Sequence, residues 1–175
     1  MPKIPTQNIN FAVYDSDSNE LLGLAEGTLP DFEAMTETIS GAGLAGEIDM
    51  PVLGHFGSMT IELSWRTMTV DATKLSRQLA HHLDMRASIE DYDSGSGTIE
   101  SFPMKVSVIT IPKKMSMGNL NVGTGSDSKS EFEIAYIKIL LDNEEVVELD
   151  KFNYIYRVHG VDYLESVRRD LGKAG

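Results

Sequence analysis

Leu83-Asp84-Met85-Arg86-Ala87-Ser88-Ile89-Glu90 places four apolar side chains on one parity and four polar ones on the other. A period of two is the mark of a β-strand with one buried face and one wet face. A helix would scatter the same apolar residues around its circumference. The stretch 58–65 repeats the pattern, with Met59, Ile61, Leu63 and Trp65 alternating with Ser58, Thr60, Glu62 and Ser64. Sheets with one solvated side are antiparallel as a rule, so the chain is expected to be mainly β.

Working outward, runs rich in β-branched and aromatic residues predict further strands over 32–39, 102–111, 131–141 and 145–158. Strands over 10–14 and 21–25 flank Asp15-Ser16-Asp17-Ser18-Asn19, which reads as the loop of a hairpin. One central helix is predicted over 71–79, with Asp71 as its N-cap and Leu75 and Leu79 on one face. Segments 94–100 and 117–130 are rich in Gly and Ser and predict loops. No internal repeat suggests a solenoid. Several long antiparallel strands in one modest domain leave open edges. Either the sheet closes on itself or its edges pair with other subunits.

Composition bounds the function. With 175 residues, 41% of them hydrophobic, the chain is long enough to bury the core of one domain, expected to span 1–175. Cysteine is absent, so neither disulfides nor thiolate metal chemistry is available. The start, Met-Pro-Lys-Ile-Pro-Thr-Gln-Asn, has the character of neither a secretory signal nor a membrane span, so folding in a cytoplasm is expected. A formal charge of −12 argues against adhesion to nucleic acid, which needs Lys and Arg to displace counterions. The charge is uneven: residues 1–65 hold ten acids and one base, Lys3, whereas residues 151–175 hold five bases and three acids.

Motifs of chemistry are weak. Gly41-Ala42-Gly43-Leu44-Ala45-Gly46 matches the dinucleotide-binding pattern G-x-G-x-x-G. That mechanism needs a helix to start within the glycines, yet Pro51, Gly54 and Gly57 follow, and Glu47 and Asp49 would repel phosphate. A flexible or closely packed loop, where another backbone approaches, is the reading adopted. His81 and His82 are adjacent and point to opposite faces of a strand, while His55 and His159 lack ligand spacing, so no metal is expected. Glu131 with Glu133, and Asp84 with Glu90, have the look of acid/base pairs but fit a solvated face better. The serines lack a nucleophile-elbow context, and the nine Met suit core or interface filling. No catalytic residue, cofactor or small-molecule substrate is expected.

The C-terminal stretch carries more. Residues 153–158 read as a strand, and His159-Gly160 interrupts it. From there Val161, Leu164, Val167 and Leu171 recur at helical spacing, with Asp162 near the start and Arg168, Arg169 and Lys173 near the end. A short amphipathic helix closed by Gly172 is predicted.

Arg-Val-His-Gly-Val-Asp-Tyr-Leu-Glu-Ser-Val-Arg-Arg-Asp-Leu-Gly, residues 157–172, resembles the ending of the major tail tube proteins of contractile-tailed bacteriophages. Ser40-Gly41-Ala42-Gly43 with Gly46, then Leu53-Gly54, then 58–65, 131–141 and 144–149, follow in the order seen in that family. The resemblance is strongest over 40–65 and 130–172. It implies an antiparallel β-sandwich or barrel with one central short helix and a short C-terminal one, plus an extended inter-subunit loop at about 40–57. It also implies hexameric rings that stack into a hollow tube inside a contractile sheath. The partners so implied are other copies of the chain, sheath, baseplate and tape measure proteins, and DNA in transit without tight binding. Related tubes occur in headless R-type bacteriocins and type VI secretion.

Under that resemblance Gly41, Gly43 and Gly46 are candidates for subunit contact. Arg157, Arg168 and Arg169 are candidates for meeting acidic loops of the first 65 residues in a neighbour. Asp84, Glu90, Glu131 and Glu133 are candidates for lining the bore, where negative walls would keep DNA from sticking. Two other readings stand beside it: a nucleotide-dependent enzyme using the glycine run, and a monomeric β-barrel binding module.

Overall fold

The computed structural model describes residues 3–18, 22–23 and 25–173. In chain order the elements are β1 (Lys3–Asp15), β2 (Ala25–Thr28), β3 (Ala34–Ile39), β4 (Ile48–Phe56), β5 (Thr60–Trp65) and α1 (Val70–Lys74). They continue with β6 (His81–Asp93), β7 (Thr98–Ser116), β8 (Ser128–Leu141), β9 (Glu144–Asp150), β10 (Ile155–Val158), β11 (Val161–Asp162) and α2 (Glu165–Asp170). The chain is mainly β, with two short helices.

Strand β8 is the pivot of a nine-stranded sheet. One edge of β8 pairs along its length with β7, which leads through β6 to β1. Its other edge is shared: the first half, from Ser128 to Glu133, pairs with β5, which pairs in turn with β2, while the second half pairs with β9, which leads through β10 to β11. Two irregularities make this division work. Ile109 and Thr110 oppose Tyr136 and Ile134, so Ala135 is an extra residue in β8, and Lys113 is an extra residue in β7. Such bulges bend a strand and shift its side-chain phase, so Ile134 and Ile137, three apart, both point into the core.

The core lies against one face of the sheet. Trp65, Ile61 and Leu63 of β5, Leu83 of β6, Val106 and Val108 of β7 and Phe132 of β8 are almost fully buried there. Each contributes about 1.5–3 kcal/mol by leaving water. The Trp65 indole N–H donates to Ser130 Oγ at 3.0 Å, which satisfies its only polar atom in the core. Leu75, behind α1, closes one end of this cluster.

Several sequence expectations need correction. Strands over 10–14 and 21–25 are joined at one point, where Leu22 N donates to Val13 O at 2.9 Å, but their ladders run elsewhere, β1 with β6 and β2 with β5, and part of 21–25 lies outside the described residues. Asp15 does turn the chain, accepting from Asp17 N, so the local signal was a turn and the partner was non-local. The run 145–158 is two strands, because Tyr154 takes a positive φ of 54° and reverses the chain. Helix α1 is shorter than 71–79 and is capped by Thr69, whose Oγ1 accepts from Ala72 N. Leu79 is exposed, and so are Val161 and Leu171 near α2. Val161 belongs to β11, so the C-terminal helix starts later than its apolar spacing suggests. The loop expected over 40–57 is mostly strand: β3 and β4 pair into a separate two-stranded sheet, and only its tip is glycine loop.

Candidate assembly surfaces

Four features define the surface. First, the sheet has unpaired edges: among the described residues β1 pairs only with β6, β2 only with β5, and β11 only with β10. A strand edge offers a row of free N–H and C=O groups, which bind another strand unless they are protected.

Second, the β3–β4 hairpin projects as an arm. Nearly every residue on it is exposed, including Met35, Ile39, Ile48, Met50 and Leu53. Register places Ile39, Ile48 and Met50 on one face of this two-stranded ribbon, and a ribbon with its apolar face in water is marginal alone. Gly41, Gly43 and Gly46 sit at its tip, and a Cβ added at any of them would meet no atom of a non-adjacent residue within 4 Å. No close backbone approach occurs there within the subunit.

Third, the root of this arm is fixed by the C-terminal stretch. Phe32, Phe56, Tyr156 and Tyr163 form a chain of rings with centroids 5.8, 4.9 and 5.7 Å apart. The first two are edge contacts, each adding about 0.5–1.5 kcal/mol beyond area burial, and the third is tilted. Gly54, at φ +65°, lies so close to Leu164 that a Cβ would stand 2.7 Å from its Cγ. Leu53-Gly54 and Val161 to Leu164, far apart in sequence, therefore form one joint. Asp162 organises it: Oδ1 accepts from Leu164 N at 3.0 Å, and Oδ2 accepts from Arg168 Nη2 at 2.6 Å. The Arg168 bond, then the local N–H, hold the Asp162 carboxyl below its usual range.

Fourth, the wet face of the sheet carries interlocked charges. Register places Asp84, Ser107, Lys138, Glu148, Arg157 and Asp162 in one row across β6 to β11. Lys138 lies 2.9 Å from Glu145, and Arg157 bonds both Glu145 and Glu148. Tyr136 donates to Glu148 at 2.9 Å, and burial, then this bond, raise its phenol well above the ordinary value.

The sequence candidates fall as follows. Asp84, Glu90, Glu131 and Glu133 do share the face turned away from the core. They are not a bare acidic wall. Asp84 is buried and held by Lys105 at 3.0 Å and Ser107 at 2.7 Å; burial pushes its pKa up, these bonds outweigh it, and the net shift is downward. Lys113 lies 3.6 Å from Glu131 and 3.5 Å from Glu133, and Ser58 donates to Glu133. Glu90 accepts from Thr6 Oγ1. Among the basic candidates, Arg157 and Arg168 are engaged inside the subunit, with Arg168 also donating to Tyr154 O. Arg169 is exposed with no ion pair among the described residues. One residue escaped sequence reading: Asp91, which is 8% exposed with an Oδ1 that has no hydrogen-bond partner among the described residues. Its signal was there, since position 91 continues the apolar parity of Leu83, Met85, Ala87 and Ile89.

Unpaired edges beside a projecting apolar arm are the marks of an assembly subunit. The chain belongs to the phage tail tube protein family: residues 5–172 match the family described as phage tail tube protein FII. A relative, the tail tube protein of Escherichia phage P2, is 27% identical over 157 residues, which cover 83% of this chain and 84% of that protein.

Proposed function

We propose that this subunit closes into hexameric rings that stack into a hollow tube, the conduit for a phage genome within a contractile sheath. The observation that carries the reading is the pair of edges on β1 and β2 that pair with no further strand among the described residues, together with an arm whose apolar residues are exposed beyond its root. Edges vanish when neighbouring sheets join around a ring, and the combined sheet becomes a barrel around the bore. Ring closure uses one heterologous contact that returns on itself, and stacking uses a second that propagates. The arm is suited to the second role, since its tip is free of its own subunit. In this reading the protein is a structural part with no catalysis. It assembles in the host cytoplasm against sheath, baseplate and tape measure proteins, and DNA passes without tight binding.

Negative-stain imaging and sedimentation of purified protein test this directly. Six-fold rings or tubes are expected. A monomer that persists at high concentration, even with baseplate components present, would overturn the reading.

A further inference from the structure

At the tip end of the sheet, Asp91, Glu100 and Asp142 surround an open recess of about 330 Å³, completed by Lys3, Ser101 and Phe102. Asp91 and Glu100 are direct cross-strand partners, so their side chains emerge on one face. Asp142 enters from the β8–β9 turn, at φ +49°. Lys3 Nζ donates to Glu100 Oε2 at 2.6 Å and also feels the charge of Asp91, so one ammonium serves several acids of the recess, and Asp142 makes no ion pair among the described residues. Asp91 is more than nine-tenths buried, and its Oδ1 has no hydrogen-bond partner among the described residues. A buried carboxylate oxygen with no donor among the described residues is costly, so the Asp91 carboxylate is the group of this recess that gains most from a further donor.

We propose that this recess is a socket for a basic side chain of a second copy of the chain, inserted from the opposite end of the strands. The occupant's chemistry is marked by Lys3, which already sets an ammonium against one of the three carboxylates. Its source follows from the strand ends. Arg66 follows β5, and Lys114 lies near the far end of β7; both are exposed, and neither makes an ion pair among the described residues. Glu100 and Lys114 stand roughly 45 Å apart along one strand, so neither cation can reach the recess of its own subunit. Acid at one end and base at the other make the subunit electrostatically polar, the arrangement that head-to-tail stacking requires. The inference rests on the tube reading and gives one of its contacts a chemical identity.

The test compares tube growth of the wild type with that of Asp91→Asn, which keeps the shape and removes the charge. The critical concentration should rise about tenfold or more, while the isolated subunit unfolds at the same denaturant concentration or a higher one. Arg66→Gln with Lys114→Gln should cause a similar loss, and combining them with Asp91→Asn should add little further. The chain has no cysteine, so Ser101→Cys with Lys114→Cys can cross-link only between subunits. Oxidation should give a ladder of multimers extending past six. Wild-type growth by Asp91→Asn, or by the double Gln variant, would overturn the socket. So would tubes that dissolve in EDTA and regrow with calcium, because a cation would then fill the recess. Should Asp91→Asn fail to fold, the surface variants and the cross-link decide. Absence of wild-type tubes would remove the tube reading and the socket with it, whereas tubes that tolerate Asp91→Asn remove the socket alone.

Discussion

Gly54 and Leu164 show how a single missing Cβ can couple two distant parts of the chain. Leu164 is 2% exposed, and its Cγ and both methyls lie within 2.8 Å of where a Gly54 side chain would begin. The atoms in the way belong to the branch of Leu164, so they cannot swing aside. Gly54→Ala also forces a left-handed φ on an L side chain. The expected loss is about 1–3 kcal/mol, read as a lower urea midpoint, with earlier proteolysis of the arm than of the sheet. An unchanged midpoint would show that the joint is slack. The two neighbouring arginines should separate in the same way. Arg168→Ala breaks the bonds to Asp162 and Tyr154 O and should lower the unfolding midpoint. Arg169→Glu should leave the midpoint in place and slow tube growth, most visibly at low ionic strength, because an exposed charge acts between subunits or not at all. Equal effects of the two on folding would refute this division.

Among the elements, the strands were legible and their partners were not. Alternation located β5 and β6 because each has one face in the core and one in water, and the alternating register follows from that alone. Nothing local in 10–14 or 21–25 tells β1 to pair with β6, some seventy residues away. The bulge at Ala135 shifts the phase of β8 midway, which periodicity cannot register. Half of the arm was legible, since a strand was expected over 32–39 where β3 lies, whereas β4 was read as glycine loop because it lacks a buried face to impose alternation. Asp91 was legible in principle, as a carboxylate in phase with apolar neighbours, but its missing partner could be seen only in three dimensions. The arm also yields a prediction of its own. Gly43 has φ +100° and open space around it, so Gly43→Val strains the tip without striking the body. Circular dichroism and the unfolding midpoint should match the wild type, while polymer formation falls. Tubes that grow normally would remove the tip from the subunit contact.

The molecule as a whole should be stable over a broad pH plateau with two distinct limits. Asp162 and Glu145 are held below their ordinary pKa chiefly by bonds from Arg168 and Lys138. For Asp84 and Glu133, burial pushes upward, but donors and nearby lysines prevail and the net direction is again down. A carboxyl with a depressed folded pKa contributes stability above its unfolded value of about 4, and that contribution is lost as pH falls through the folded value. All four belong to the charged side of the sheet, so acid should loosen β8 to β11 together with β6. Tyr136 sets the alkaline limit by the opposite sign. Its raised folded pKa keeps the phenol protonated and donating to Glu148, so its contribution is complete below about pH 10 and declines above that value, where the unfolded chain ionises. Urea midpoints should therefore be nearly flat from about pH 5 to 9 and fall on either side. Tyr136→Phe removes the titrating group and should make the alkaline fall shallower while leaving the acid limb unchanged. An alkaline limb identical in Tyr136→Phe and wild type would mean that lysine deprotonation across the same charged face, not this phenol, governs the upper limit.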